Sequence, residues 1–235
     1  MVPTEHTSKQ FDADLEAVRA QVLQMGGLVE SQIRLAIEAL ISSDVALMQR
    51  VIADDHRVNA MEVAIDETCN QIIALRQPAA RDLRLIMMII KTITDLERIG
   101  DEAEKIARMG LLQSQRDNHI LPRFTEIKHT SEMVLDMLRK SLDAFARLDL
   151  SYAAQVVRQD EAVDEQFRAI MRYLITFMME DPRTISTALE TLFIAKAIER
   201  IGDHAKNMSE YVVYMVKGKD VRHVTVEEIE REVGQ

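Results

Sequence analysis

Glu97-Arg98-Ile99-Gly100-Asp101 recurs as Glu199-Arg200-Ile201-Gly202-Asp203, at an offset of 102 residues. Earlier in each half, Asp55-His56-Arg57-Val58-Asn59 aligns with Asp160-Glu161-Ala162-Val163-Asp164 at an offset of 105, and Pro78 aligns with Pro182 at 104. Landmarks that keep their order with slips this small mark two copies of one structural unit. Around the first pentapeptide, Ile86, Ile89, Ile93, Leu96, Gly100, Ala103 and Ala107 follow 3-4-3-4 spacing, and Ala188, Thr191, Ala195, Ile198, Gly202, Ala205 and Ser209 repeat it around the second. That spacing is the seam of a helix packed in a bundle. Both seams narrow to small residues at the motif. A mid-helix glycine costs about 1 kcal/mol relative to alanine, so close approach of a neighbouring helix backbone is expected to offset it.

Outward from the motifs, helix-breaking residues are sparse and the helices must be long. Apolar positions recur at helical spacing over 11–40, and Ser42-Ser43-Asp44 supplies an N-cap for a second helix to about Leu75. Pro78 breaks the pattern before a third helix over 80–109, and Gly110 with the polar stretch 113–119 reads as a linker. Pro122 suits the start of a fourth helix, to about Leu148. A fifth covers 151–179, Asp181-Pro182 breaks it, and a sixth continues to about Met215 and ends at Gly218. The expectation is an all-α fold of two tandem three-helix bundles, residues 1–112 and 120–218, followed by a short acidic C-terminal tail over 219–235.

Composition agrees and excludes several functions. With 47% hydrophobic and 29% charged residues the 235-residue chain has the balance of a soluble globular protein, while 7 Gly, 4 Pro and 4% aromatics disfavour sandwiches and barrels. A net charge of −10 argues against a nucleic-acid partner, which requires basic surface for phosphate contacts. The start of the chain lacks the basic and apolar segments of a signal peptide, and the longest strongly apolar run, 85–90, is far below the ~20 residues of a membrane helix. A cytoplasmic protein is expected. Cys69, the only cysteine, sits at helical spacing among apolar residues and reads as a buried thiol.

Glu97 and Asp101, four residues apart on a helix, project from one face, as do Glu199 and Asp203. Asp55/Asn59 and Asp160/Asp164 place oxygen ligands at the same spacing one helix earlier, and Glu62/Asp66 adds a further pair. If the second and third helices of each unit are antiparallel neighbours, two such pairs converge. Four hard oxygen ligands suit Mg²⁺, Mn²⁺ or Fe. Acidic pairs also occur on solvated faces, where Arg98 or Arg200 would neutralise them. The constellation is stronger in the second half, since Asn59 stands where Asp164 supplies a carboxylate. Glu126-Ile127-Lys128-His129 is the only Glu-x-x-His, against the two of a ferritin-like di-iron centre. His204 follows Asp203 and reads as an exposed histidine rather than an outer ligand. No Gly-rich phosphate cradle is present. Met87, Met88, Met171, Met178 and Met179 read as core filling. A di-metal carboxylate enzyme and a ligand-free helical scaffold remain as alternatives.

Met25-Gly26-Gly27, Met61-Glu62-Val63-Ala64-Ile65-Asp66, Arg76-Gln77-Pro78, Asp82-Leu83-Arg84 and Leu96 through Asp101 in the first half join with Leu142-Asp143-Ala144-Phe145-Ala146-Arg147, Met178-Met179-Glu180-Asp181, Ile198 through Asp203 and Arg222-His223-Val224 in the second. In these the chain resembles the PhoU family, the phosphate-specific transport system accessory proteins, over roughly residues 11–224. The resemblance implies a homodimeric, cytoplasmic, non-enzymatic protein that regulates phosphate uptake and homeostasis. It would act as a negative regulator of the phosphate-starvation response, linking the ATPase subunit of the phosphate ABC transporter to a sensor histidine kinase and meeting the membrane only through these partners. It further implies metal at E/D-x-x-x-D motifs, here Glu97, Asp101, Glu199, Asp203, Asp160, Asp164 and Asp55, with Asn59 departing from the carboxylate pattern. The divalent metals considered are Fe, Mn, Mg and Zn, with no organic cofactor.

Overall fold

A cap or break sits at most of the expected helix ends in the computed structural model, which describes residues 9–115 and 124–221 and the isolated residues 224, 228, 231 and 234. The helices are α1 Lys9–Ser42, α2 Val45–Asp54, α3 His56–Arg76, α4 Ala80–Ser114, α5 Phe124–Arg147, α6 Leu150–Glu180 and α7 Ile185–Lys217, with a single 3₁₀ turn at Pro182–Thr184 before α7. The described residues contain no strand. Asp44 caps α2, its carboxylate accepting from the Leu47 amide at 3.0 Å. Asp149 does the same for α6, accepting from Ser151 N at 2.8 Å. Gly218 closes α7 in the left-handed region, φ 72°, its N–H donating to Tyr214 O at 2.9 Å.

α1, α2–α3 and α4 pack as one three-helix group and α5, α6 and α7 as the second, with α4 laid along α7 and α1 along α5. All fourteen seam positions of α4 and α7 are buried. Each large aliphatic side chain among them contributes about 1.5–3 kcal/mol by leaving water. Val22, Met25, Val29 and Ile33 of α1 face this core, and Cys69 lies within it fully buried, as its spacing indicates.

Four expectations change. The second helix is two: the chain tightens at Asp55, where Val58 N donates to Asp55 O at 2.9 Å, an i→i+3 bond that re-aims α3. Gly110 is no linker but lies inside α4, because a Cβ there would stand 3.0 Å from Met48 Cε and 3.1 Å from Leu40 Cδ1. The motif glycines face side chains rather than a neighbouring backbone: a Cβ on Gly100 would meet Val58, Gln32 and Asp55 at 3.3–3.5 Å, and one on Gly202 would meet Val134 at 3.4 Å. Of the methionine cluster Met88 is core and Met178 packs against that core; Met87, one position off the seam, is 43% exposed, and Met179, at the end of α6, is 80% exposed. Pro122 and most of the linker and tail lie outside the described residues.

Candidate functional site

Asp55 occupies the α2–α3 joint, where the tightened turn buries its carboxylate against α1 and α4. Gln32 of α1 donates from Nε2 to Asp55 Oδ1 at 2.9 Å, and Asn59, one turn further along α3, donates from Nδ2 to Oδ2 at 3.3 Å. Those bonds fix both amides with their oxygens turned away, and Gln32 Oε1 and Asn59 Oδ1 are buried without a hydrogen-bond partner among the described residues. Across from them stand Glu97 and Asp101 of α4, with Glu62 of α3 accepting from Thr94 Oγ1 at 3.2 Å.

The electrostatics show that these carboxylates converge. Burial, then the charges of Asp101, Glu62 and Asp55, raise the Glu97 carboxyl above its ordinary value. Burial, then Asp55 ahead of Glu104, Glu102 and Glu62, raises Asp101. None of Asp55, Glu62, Glu97 or Asp101 makes an ion pair among the described residues. The four acids therefore repel one another; the charge of Arg98 offsets part of this at Glu97 without forming an ion pair.

The second bundle repeats the acids but not the surroundings. Asp160 of α6 is buried and accepts from Lys206 Nζ at 2.7 Å. Glu199 of α7, also buried, accepts from Lys196 Nζ at 2.5 Å. Asp164 pairs with Arg168 at 3.3 Å. Asp203 is left half-buried, and burial followed by the charges of Glu199 and Asp160 pushes its carboxyl up to about 6. All seven acids expected from the sequence thus lie in two patches, three in the first bundle and four in the second. No group of three or more His, Cys, Asp or Glu among the described residues is placed to hold a metal ion by itself. What fits a cation is the donor chemistry of the first patch, where buried amide oxygens flank unpaired carboxylates.

Several residues of consequence escaped the sequence reading. Lys196 lies three residues before Glu199, a helical spacing that could have marked it as a partner, while Lys206 meets Asp160 on the neighbouring helix, which local spacing does not show. Gln32 sits beside Ile33 on the buried face of α1, where a polar residue is itself a signal. His204, read as exposed, is buried between the bundles and hydrogen-bonds through Nδ1 to Asp95 Oδ1 at 2.7 Å, with Asn207 Nδ2 donating to the same oxygen at 3.4 Å. Arg200 does not neutralise its own motif but crosses to Glu102 of α4 at 2.8 Å, which Lys105 also meets at 3.2 Å. At the same joint a cleft of about 500 Å³ is lined by the start of α4 and the end of α7, with Arg84 over the Tyr214 ring at 5.8 Å and Lys91 over Tyr211 at 5.6 Å.

The fold and patches define a class: tandem three-helix bundles that each present acidic side chains from two adjacent helices. A family model, the PhoU domain, matches the chain twice, over residues 22–109 and 127–212. The chain belongs to the PhoU family. It is 50% identical over 230 residues to a phosphate-specific transport system accessory protein PhoU homolog from Burkholderia sp, covering 97% of each chain. It is 48% identical to the phosphate-specific transport system accessory protein PhoU of Escherichia coli (strain K12), covering 97% of this chain and 93% of that one. Among solved structures, PhoU from Pseudomonas aeruginosa superposes with a TM-score of 0.85 at 47% identity, covering 89% of this chain and all of that one. The phosphate transport system regulatory protein PhoU from Streptococcus pneumoniae does so with a TM-score of 0.83 at 31% identity, covering 90% of this chain and 99% of that one. No helix among the described residues is long and apolar enough to cross a membrane.

Proposed function

We propose that this chain is a non-enzymatic regulator of phosphate uptake and homeostasis, an accessory protein of a phosphate-specific transport system. In this reading it is a homodimeric, cytoplasmic negative regulator of the phosphate-starvation response that connects the ATPase subunit of the phosphate ABC transporter to a sensor histidine kinase. Divalent metal on its acidic patches, Asp55, Glu97 and Asp101 in one bundle and Asp160, Asp164, Glu199 and Asp203 in the other, is part of the same reading.

The observation that carries it is similarity along nearly the whole chain, 97% at 48–50% identity, to proteins named for that accessory role. The buried thiol and histidine serve other ends. Cys69 is buried, and burial followed by the charge of Asp66 pushes its thiol up to about 12, so it is held as an inert thiol. His204 is spent on the inter-bundle bond to Asp95. Surface for partners exists instead. Leu83 and Met87 on α4, and Ile185, Leu189 and Phe193 on α7, are 38–51% exposed at helical i,i+4 spacing. Exposed apolar side chains in such rows favour contact with a partner helix or a second copy.

A phosphate-starvation reporter tests the reading in a strain lacking this gene and grown with ample phosphate. Strong expression, silenced when the gene is restored, is the expected result. A reporter that stays silent in the deletion strain refutes the regulatory role.

A further inference from the structure

Asp82-Leu83-Arg84 takes no part in either acidic patch, and its arginine stands at the cleft where the start of α4 meets the end of α7. The Arg84 guanidinium lies over the Tyr214 ring at 5.8 Å, and Lys91, two turns further along α4, lies over Tyr211 at 5.6 Å. Apart from these rings neither cation has a partner among the described residues, in a chain whose net charge is −10. Arg84 Nε is moreover a buried donor with no hydrogen bond. An arginine seated over a ring keeps its N–H donors for an anion, and a buried donor left unfilled calls for a partner. Gly218 gives the guanidinium its place, since a Cβ there would stand 2.2 Å from Nη1.

The internal repeat supplies a control. At the 102-residue offset that aligns the two motifs, Arg84 corresponds to Ser186, Lys91 to Phe193, Tyr211 to Met109 and Tyr214 to Leu112. The apolar positions Leu83 and Met87 are repeated as Ile185 and Leu189, but neither cation and neither ring is. The packing that both halves share therefore does not require them.

The cleft measures about 500 Å³, within the ~300–1,000 Å³ of small-ligand sites. Leu83, Met87 and Met88 wall it beside the two tyrosines, with Leu83 and Met87 38% and 43% exposed. Glu210 and Asp220 complete the lining, each with an interaction of its own. Their charge opposes a bare anion, so a ligand needs both cations and the apolar wall together. Arg84 and Lys91 are seven residues apart, about 10.5 Å along the helix, and rest on different rings. A single phosphoryl group does not serve both positions, whereas a chain of two or three does.

We infer that this cleft binds a nucleoside di- or triphosphate, its phosphate chain bridging Arg84 and Lys91 and its base lying on the wall of Leu83, Met87 and the tyrosines. Arginine offers paired N–H donors and lysine a point charge, a combination suited to successive phosphoryl groups. The bound molecule touches α4 of one bundle and α7 of the other, and so ties the two together. This goes beyond the regulatory reading and does not depend on it.

The test is calorimetric titration of the purified full-length protein with ADP and ATP. EDTA in the buffer keeps a metal-bridged nucleotide off the acidic patches, and circular dichroism verifies the fold of every variant. One nucleotide per chain is expected, with a raised Tm. AMP and inorganic phosphate are expected to bind about tenfold or more weakly than ADP, and tripolyphosphate more weakly than ATP. Arg84→Gln and Lys91→Gln should each weaken ADP binding about tenfold or more. Phe193→Ala, at the position that repeats Lys91, should leave it unchanged. Lys91→Gln decides the matter even if Arg84→Gln does not fold. No binding by wild type, or equal binding by the Lys91 variant, overturns the site. AMP as tight as ADP overturns the bridged phosphate chain, and tripolyphosphate as tight as ATP overturns the nucleoside.

Discussion

Asp203 should be a carboxylate whose removal stabilises the protein, and only at neutral pH. Burial, then the charges of Glu199 and Asp160, raises its carboxyl from an ordinary 3.8 to about 6. An acid with a pKa raised by folding binds its proton more tightly in the native state. That advantage is complete below pH 3.8 and is lost as pH climbs through about 6, above which the native state carries a constant cost. The difference between the two values corresponds to about 3 kcal/mol for a fully desolvated group. Asp203 is half-exposed, and screening by solvent reduces this to about 1–2 kcal/mol. The carboxylate makes no hydrogen bond among the described residues, and its raised value already includes the opposing attraction of Lys196, so Asp203→Asn releases the net cost. For a chain of this size the gain is about 2–8 °C in Tm. Thermal and urea unfolding of both proteins with chelator present, at about pH 7.5 and about pH 4, measure it. A variant less stable than wild type at the higher pH, or a gain of equal size at both, refutes the argument.

Three further outcomes follow from particular contacts. Asp95→Ala leaves His204 buried without its inter-bundle partner and should cost about 2–4 kcal/mol in urea unfolding, with His204→Ala similar and the double variant less than their sum. Gly218→Ala places a side chain at φ 72° with its Cβ 2.2 Å from an Arg84 guanidinium nitrogen, and should lower stability by about 1–2 kcal/mol and fray the end of α7 in hydrogen exchange. Cys69, fully buried with its thiol pushed up to about 12, should resist a thiol reagent until denaturant is added, so a native protein that labels at once contradicts its placement.

The periodicity of α4 and α7 was legible because fourteen seam positions lie inside two uninterrupted helices, where 3-4-3-4 spacing maps directly onto one buried stripe. Gly110 misled because glycine punctuates a sequence in two ways. At Gly218 it permits a left-handed turn, but at Gly110 it clears room for Met48 and Leu40, and only the neighbouring helices distinguish the two. The convergence of acids was legible for the same reason as the fold: i,i+4 pairs share a face wherever the helix lies. What balances those acids was not. Gln32 reaches Asp55 across 23 residues and Arg200 reaches Glu102 across 98, and nothing in local spacing connects such pairs. His204 looked solvent-facing because it directly follows the acid Asp203, yet it lies in the joint between bundles.

That joint explains why each motif carries more than its two acids. Successive residues on a helix point about 100° apart, so a motif acid and the residue beside it face different surroundings. Asp101 turns toward Asp55, while the adjacent Glu102 meets Arg200 of the other bundle. Asp203 turns toward Asp160, while the adjacent His204 meets Asp95 of the other bundle. The motif acids of both patches and these two inter-bundle bonds therefore sit on the same two helices, α4 and α7, which lie against each other. A rotation of α4 that moved Glu97 and Asp101 would also carry Glu102 and Asp95 relative to α7. The spacing of the motif places a charge-sensitive surface and a structural joint one residue apart.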